Sequence, residues 1–210
     1  SAVVRQKLQQ KDPENRLLGR SPAYRLPAEV IRDQALQASG LLVRDVGGPS
    51  VKPYQPDGLW IEKNNFSKYL LRYKADQGNK RYRRSLYTFI RRTSPPPAMI
   101  ALDATNRSVC TVKREITNTP LQALVLMNDP QFVEASRALA ERMIAEAGTA
   151  PEDRIAYGFE LVTARRPSET ETEVLANILA MQLEEYRNDA EAAKALITVG
   201  DSAPNDALDP

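Results

Sequence analysis

Two helix starts that follow each other closely constrain the fold more than any other feature of the chain. Thr119 directly precedes Pro120, and Asp129 directly precedes Pro130. A proline at the first helical position loses no hydrogen bond, because its missing N–H group would have had no partner there. The Thr or Asp oxygen before it can cap one of the remaining free N–H groups. The sequence therefore predicts two helices that begin at these prolines and meet at a sharp corner.

The two predicted helices differ in their apolar pattern. Leu121–Met127 is apolar on almost every side, which predicts a buried helix. After Pro130 the apolar residues recur at helical spacing through Phe132, Leu139 and Met143, which predicts a helix with one inward face. Together they predict a central helical hairpin.

Further segments with helical periodicity extend this interpretation. A helix is expected from Leu26 to a C-cap at Gly40, and another after Ser168, which forms a capping box with Glu171. We also expect helices over residues 83–92, with Leu86, Phe89 and Ile90 inward, over 152–163 and over 192–197. Residues 97–116 are expected to be a linker, and the tail from residue 200 to be loosely held. The predicted fold is all-α, an irregular multi-helix bundle with long ordered Pro/Gly-rich loops and at most a minor extended arm over residues 69–73.

The net charge of +2 conceals a strong division along the chain. Residues 141–210 hold 15 Asp or Glu against 6 Lys or Arg, whereas residues 1–140 hold 12 against 23. We therefore expect a basic helical body over residues 1–147, including the 47–60 loop and the central 119–147 helical hairpin. An acidic helical extension over residues 148–210 is expected to pack on it as part of the same domain.

The 210 residues contain no histidine and one cysteine, Cys110. A Ser-His-Asp triad, a Cys-His dyad, a His-containing zinc site and a CxxCH haem attachment all need an imidazole, so these four site types are excluded within this chain. We expect no haem, no metal and no other cofactor here, and Cys110 to be a small half-buried side chain. No run reaches the roughly 18 apolar residues of a membrane span, which predicts no membrane insertion.

The loop over residues 47–60 contains three prolines and three glycines, which forbid a long helix or a central strand. It also carries Val51, Tyr54, Leu59 and Trp60, the only tryptophan of the chain. Burial of these side chains would offset the entropy lost on ordering, so we expect an ordered loop folded onto Arg83–Phe89.

Five motifs in order along the chain give a more specific indication. They are DPENRLL, RLPAEVIRDQAL, GGPSVKPYQP, YRRSLYTF and TNTPLQAL with the following NDP. Together they resemble the planctomycete-type C-terminal domain of unknown function, which occurs in large exported proteins that also carry cytochrome-c-like domains. The resemblance implies an extracytoplasmic location (periplasmic or cell surface), other domains of the same polypeptide as partners, and haem, if any, in another domain. It also implies a further helix beyond Pro210, so that one face of the bundle here is left uncovered.

The function indicated first is a non-catalytic interaction or structural module that binds a neighbouring domain or an anionic polysaccharide. Ten Lys or Arg lie among the aromatic residues of residues 63–92. Guanidinium groups match sulfate and carboxylate, and aromatic rings stack on sugars. The candidate ligand-binding residues are Lys52, Tyr54, Trp60, Arg83, Arg84 and Tyr87. The same residues would also serve to hold the loop on the body, and the sequence leaves both interpretations open.

The alternative is a carbohydrate-active enzyme, a lyase or hydrolase, that works without histidine. Asp103 or Glu115 would act as acid or base, and Arg107, Arg114 or Tyr87 would stabilise charge. Convergence of these groups in one pocket with a perturbed carboxylate would favour it. Nucleic-acid binding by residues 63–92 is a third, weaker interpretation, since no known module is present.

Overall fold

The computed structural model of the chain describes residues 2–19, 25–61 and 72–208. Eight α-helices lie in this part of the chain, and none of its residues belongs to a β-strand beyond two isolated bridges. The helices are α1 (Ala2–Lys11), α2 (Ala28–Ser39), α3 (Pro97–Ala101), α4 (Pro120–Asn128), α5 (Pro130–Glu146), α6 (Pro151–Thr163), α7 (Glu169–Asn188) and α8 (Ala190–Ile197). The predicted all-α, multi-helix fold is confirmed. The predicted extended arm lies mostly outside the described residues.

The central hairpin forms as the two prolines predict. Pro120 and Pro130 are the first residues of α4 and α5. Asp129 caps α5 by accepting a hydrogen bond from the N–H of Gln131 at 3.0 Å. At the start of α4, the side-chain oxygen of Gln122 accepts from the N–H of Thr119 at 3.4 Å.

Helix α5 is the central element, packed against α2, α4 and α6. The core cluster beside it consists of Ala28, Met99, Leu102 and Phe132. Helix α2 ends as predicted at Gly40, which has a φ of 80° and donates its N–H to the carbonyl of Gln37. A side chain at that φ would be strained, so glycine suits this helix end.

The predicted burial of Leu121–Met127 is wrong. Within α4 only Gln122 is buried, and Leu121, Leu124, Leu126 and Met127 are all exposed. Helix α4 contacts α3 and α5, which cover one side of it and leave the other open. The apolar residues on every side of α4 predicted burial, but no other element of the described chain covers the side that faces away from α3 and α5.

The predicted helix over residues 83–92 is also wrong. A first 3₁₀ turn, Gly78–Tyr82, ends just before this segment, which itself holds only the 3₁₀ turn Ser85–Tyr87, and Leu86 is exposed rather than inward. Its backbone instead pairs with residues 43 and 51 through two isolated parallel bridges. The carbonyl of Tyr87 accepts a hydrogen bond from the N–H of Val51, so it is not available for the hydrogen bonds of a regular helix.

The expected linker over residues 97–116 begins with α3, whose Met99 is buried in the core, since Pro97 starts a helix in the same way as Pro120. The rest of this segment is irregular, and Cys110 is exposed, not half-buried as expected. Residues 106–113, which include Cys110, are all exposed.

The acidic segment after residue 147 holds α6, α7 and α8. The predicted capping box of α7 is present, with the N–H of Ser168 donating to Glu171 at 2.8 Å and the reverse bond at 3.3 Å. Helix α6 packs against α2 and α5, and α8 contacts α5. The division of the chain at residue 147 stays a prediction. In the part of the chain that the structure describes, no helix is both long and apolar enough to cross a membrane.

Candidate interaction site

The 47–60 loop pairs with the segment after the first 3₁₀ turn through its backbone. The N–H of Val51 donates to the carbonyl of Tyr87 at 2.8 Å, and the N–H of Phe89 donates to the carbonyl of Val51 at 2.8 Å. Val51 itself is buried. The prediction that the loop folds onto Arg83–Phe89 is confirmed.

Arg83 fastens this loop with its side chain. The guanidinium donates to the carbonyls of Pro49 at 3.0 Å and Asp45 at 3.2 Å, and also to that of Gly47. It lies over the ring of Tyr87, with 4.1 Å between the guanidinium carbon and the ring centroid. Since Arg83 is buried, these groups occupy a guanidinium that the ligand-binding hypothesis needs free.

Trp60 lies at the centre of the aromatic cluster and is only 1% exposed. Its ring meets that of Tyr73 edge-on at 5.1 Å and that of Phe89 at 5.8 Å. The ammonium of Lys52 lies 5.6 Å from its ring centroid and the guanidinium of Arg91 lies 5.1 Å from it. In this arrangement no face of Trp60 is open to a sugar ring.

The other predicted ligand-binding residues divide into two groups. Lys52, Tyr54 and Tyr87 are half-buried; the ring of Tyr54 lies 4.2 Å from the guanidinium carbon of Arg81, and the hydroxyl of Tyr87 accepts from the N–H of Gly47 at 2.9 Å. Arg84 alone is exposed; its carbonyl accepts from the N–H of Tyr87 at 2.9 Å, but its side chain forms no hydrogen bond or ion pair with another described residue. The structure thus brings the set together around the loop, and its ligand-binding role stays a prediction.

The candidate catalytic carboxylate Asp103 is fully engaged by neighbours. It accepts from the N–H and hydroxyl of Thr117, both at 2.8 Å, from Gln122 at 3.2 Å, and from Arg25 in an ion pair. The hydrogen bond from the Thr117 backbone is the main cause of a pKa below the ordinary value for Asp103. The group ties three segments together: the start of α2, the end of α3 and the start of α4.

The remaining catalytic candidates do not lie in one pocket with Asp103. Arg114 forms a two-pronged ion pair with Glu29, at 2.6 and 3.0 Å. Tyr87 lies among the residues that hold the 47–60 loop, which we call the loop cluster: Lys52, Tyr54, Trp60, Arg83 and Tyr87. Arg107 and Glu115 are exposed in open depressions beside Arg114. The convergence that would favour an enzyme is not seen for these residues. Among the described residues no group of three or more Cys, Asp or Glu is placed to hold a metal ion, and the absence of a cofactor stays a prediction.

The sequence did not single out Glu134, which organises the C-terminal segment. Its side chain is 1% exposed and one carboxylate oxygen accepts four bonds: from the Tyr82 hydroxyl at 2.7 Å, the Asp201 N–H at 2.8 Å, and the Ser202 N–H and hydroxyl at 2.7 Å. The expectation of a loosely held tail is therefore wrong at Asp201 and Ser202. Its spacing could have indicated its burial, because Glu134 lies four residues before Ala138 and therefore on the same inward face of α5.

Two cavities border the helices of the core. One beside Arg32, Tyr54 and Asp129 has a volume of about 20 Å³, room for a single water-sized group and far below a typical ligand site. The other is a groove of about 260 Å³ between α2, α5 and α6, lined mostly by apolar side chains such as Ala35, Phe132 and Val162.

The outward side of α4 is the most prominent apolar surface near these features. It carries Leu121, Leu124 and Met127, which are 58%, 54% and 72% exposed. No residue of α4 is charged. We call these three side chains the α4 face. A helix without charge that is apolar on all sides is normally buried. Where such a helix exposes large apolar side chains to solvent, the patch marks an interaction site.

The comparisons with known proteins support a domain of unknown function. The model of a family described as PSD1, protein of unknown function (DUF1553), matches residues 1–179. The chain belongs to this family. No curated protein and no solved structure matches it.

The DUF1553 match contains the loop cluster, the Asp103 network, the α4 face and Glu134. It ends within α7, so Asp201 and Ser202, which donate to Glu134, lie beyond the matched residues. The matched part of this DUF1553 chain therefore supplies the buried acceptor, and the unmatched part supplies three of its four donors.

Proposed function

We propose that this DUF1553 chain is a non-catalytic interaction module of a larger exported multidomain protein. Its α4 face docks on an apolar surface of a neighbouring domain in the same polypeptide. The single observation that carries the proposal is the exposure of Leu121, Leu124 and Met127 on a helix without charge.

The energetics support a protein partner for this face. Full burial of a Leu or Met side chain is worth about 1.5–3 kcal/mol, so covering three side chains that are more than half exposed returns about 1 kcal/mol or more for each. A polysaccharide offers little apolar surface to match them. A folded domain with an apolar patch does.

The exported context is part of the proposal and is supported by the resemblance of the motifs to a domain of large exported proteins. The same resemblance makes cytochrome-c-like domains the first neighbours to test. Cell fractionation with an antibody against this chain checks the location. We expect the protein outside the cytoplasm, and recovery in the cytoplasmic fraction contradicts that part.

The docking itself is tested with Leu124→Gln and Met127→Gln in the isolated chain, titrated calorimetrically against separately produced neighbouring domains. We expect each substitution to weaken binding by about tenfold, the equivalent of about 1.4 kcal/mol. Leu86→Gln is the matched control, since Leu86 is similarly exposed, at 64%, and lies outside α4. Equal affinity of all three variants and the unmodified chain contradicts the α4 face as the docking surface.

An anionic polysaccharide is the second candidate, favoured by the exposed guanidinium of Arg84, which has no partner among the residues that the structure describes. Binding of a sulfated polysaccharide should weaken with added salt and with Arg84→Ala, while Arg92→Ala, also exposed, should change it little. Equal effects of the two substitutions indicate non-specific attraction to a basic surface and remove this candidate.

A further inference from the structure

Helix α7 exposes a long uncharged stretch. Residues 174–183 contain no charged side chain, and no residue of α7 is buried. Val174, Ile178 and Met181, 52%, 51% and 67% exposed, follow the i, i+4, i+7 spacing that places side chains on one face of a helix. We call these three residues the α7 face. A helix with this composition is normally covered by another element.

The neighbouring elements leave this face open. Helix α7 contacts α6 and α8. With 20 residues against 13, it extends about 10 Å beyond the length that α6 can cover. Leu183, in the C-terminal half of α7, is 44% exposed. The open apolar surface therefore runs from Val174 to Leu183, the middle half of the helix.

The charges that border the α7 face are acidic. Five glutamates and one arginine give α7 a net charge of −4. Glu173 precedes the face, while Glu184 and Glu185 follow it, and all three are exposed. The first turn of α7 holds two further glutamates, Glu169 and Glu171, and Glu171 is paired with Arg165 at 2.6 Å. A partner that covers the apolar stripe meets carboxylates at both ends.

We infer that the α7 face binds an amphipathic helix of a partner protein whose apolar stripe is flanked by Lys and Arg. Apolar side chains spaced along one helix face are matched by a second helix that buries its own stripe against them. Basic flanks complement the three exposed carboxylates of Glu173, Glu184 and Glu185 and speed encounter. This surface is separate from the α4 face and does not depend on the function proposed for it.

A second copy of α7 fits this surface poorly. In an antiparallel pair, Glu173 of one copy faces the acidic pair Glu184 and Glu185 of the other, and in a parallel pair like meets like at both ends. Like charges brought together across an interface cost free energy and suppress that pairing. The border charges thus select a basic partner over self-association.

The test uses two labelled helical peptides of about 18 residues, enough to span most of α7. Both carry the same leucine stripe; one has lysine on both flanks and the other has glutamate. Fluorescence anisotropy with the full chain should show the lysine peptide binding at least about tenfold more tightly than the glutamate peptide. The Ile178→Gln, Met181→Gln double variant should weaken the lysine peptide by about tenfold or more.

The matched variants separate docking from charge attraction. Leu86→Gln removes a similarly exposed apolar side chain, 64% exposed, that belongs to neither face, and it should leave the affinity unchanged. The Glu173→Gln, Glu184→Gln variant should weaken binding and flatten its salt dependence. Unchanged affinity in the Ile178→Gln, Met181→Gln variant shows adsorption by charge alone and overturns the inference. The inference is also overturned if the unmodified chain sediments as a dimer and the Ile178→Gln, Met181→Gln variant as a monomer, because a second copy of the chain then covers the α7 face.

Discussion

Removing the Glu134 carboxylate should destabilise the fold strongly. In Glu134→Ala the hydroxyl of Tyr82 and the donors of Asp201 and Ser202 lose their acceptor. A hydrogen bond to a charged group is worth about 1.5–3 kcal/mol, but Asp201 and Ser202 can separate from α5 and meet water, so the four contributions do not add. The buried Tyr82 hydroxyl cannot do so. We expect a loss of about 3–4 kcal/mol, comparable to breaking a buried charged pair.

Urea unfolding followed by the fluorescence of the single tryptophan, Trp60, measures this loss. For a chain of this size it corresponds to a fall of about 10 °C in Tm. Glu160→Ala is the control, because Glu160 is exposed and its ion pair with Arg166 is 3.9 Å long, a surface contact worth less than about 1 kcal/mol. An equal midpoint for Glu134→Ala and Glu160→Ala refutes the assignment of Glu134 as the anchor of the C-terminal segment.

The same carboxylate gives a pH dependence with a defined sign. Burial raises the pKa of Glu134, but the hydrogen bonds from Ser202 and Tyr82 outweigh burial, so the pKa lies below its ordinary value. The stability from the charged form is then complete above the unfolded pKa, about 4.3, and is lost as the pH falls through the lower folded pKa. The stability gap between the unmodified chain and Glu134→Ala should shrink below about pH 4, and a constant gap is contrary to this account.

Three other substitutions test the surrounding structure by urea unfolding. Gly200→Ala should cost about 1–3 kcal/mol and free the tail to proteolysis, since φ is 108° and the added methyl group overlaps the carboxyl of Glu134; an unchanged midpoint contradicts the close approach. Arg32→Met should cost about 3 kcal/mol, because this buried side chain donates to the carbonyls of Arg81 and Arg83 at 2.7 and 2.9 Å; a loss below about 1 kcal/mol contradicts that role. Asp103→Ala should cost about 2 kcal/mol by releasing its ties to neighbouring segments, and full stability would instead leave Asp103 available for another role.

Local capping chemistry allowed much of the helical frame to be predicted. Pro120, Pro130 and Ser168 each mark a helix start, and Gly40 marks a helix end, because the hydrogen bonds involved join residues only a few positions apart. Helix type and position follow from such signals without knowledge of the rest of the chain.

Burial and distant pairing could not be predicted in the same way. The segment after Tyr82 has a helical apolar pattern, yet its backbone pairs with Val51, more than 30 positions earlier, which no local pattern encodes. The apolar run of α4 predicted burial, while the surface that would cover it is not supplied by the described chain. In the candidate site, the sequence predicted that aromatic and basic residues gather around the loop. Whether Arg83 faces a ligand or the carbonyls of the loop depends on the path of the loop, which the sequence does not give.

Hydrogen–deuterium exchange of α4 tests the central claim most directly, by comparing the isolated chain with the full polypeptide that contains it. If the α4 face docks on a neighbouring domain, the amides of α4 after Pro120 should exchange at least about tenfold more slowly in the full polypeptide, the equivalent of about 1.4 kcal/mol of added protection. The amides of α2, already in the core, should change little. Identical exchange of α4 in both contexts would contradict the proposal that this helix is an interaction surface within its own protein.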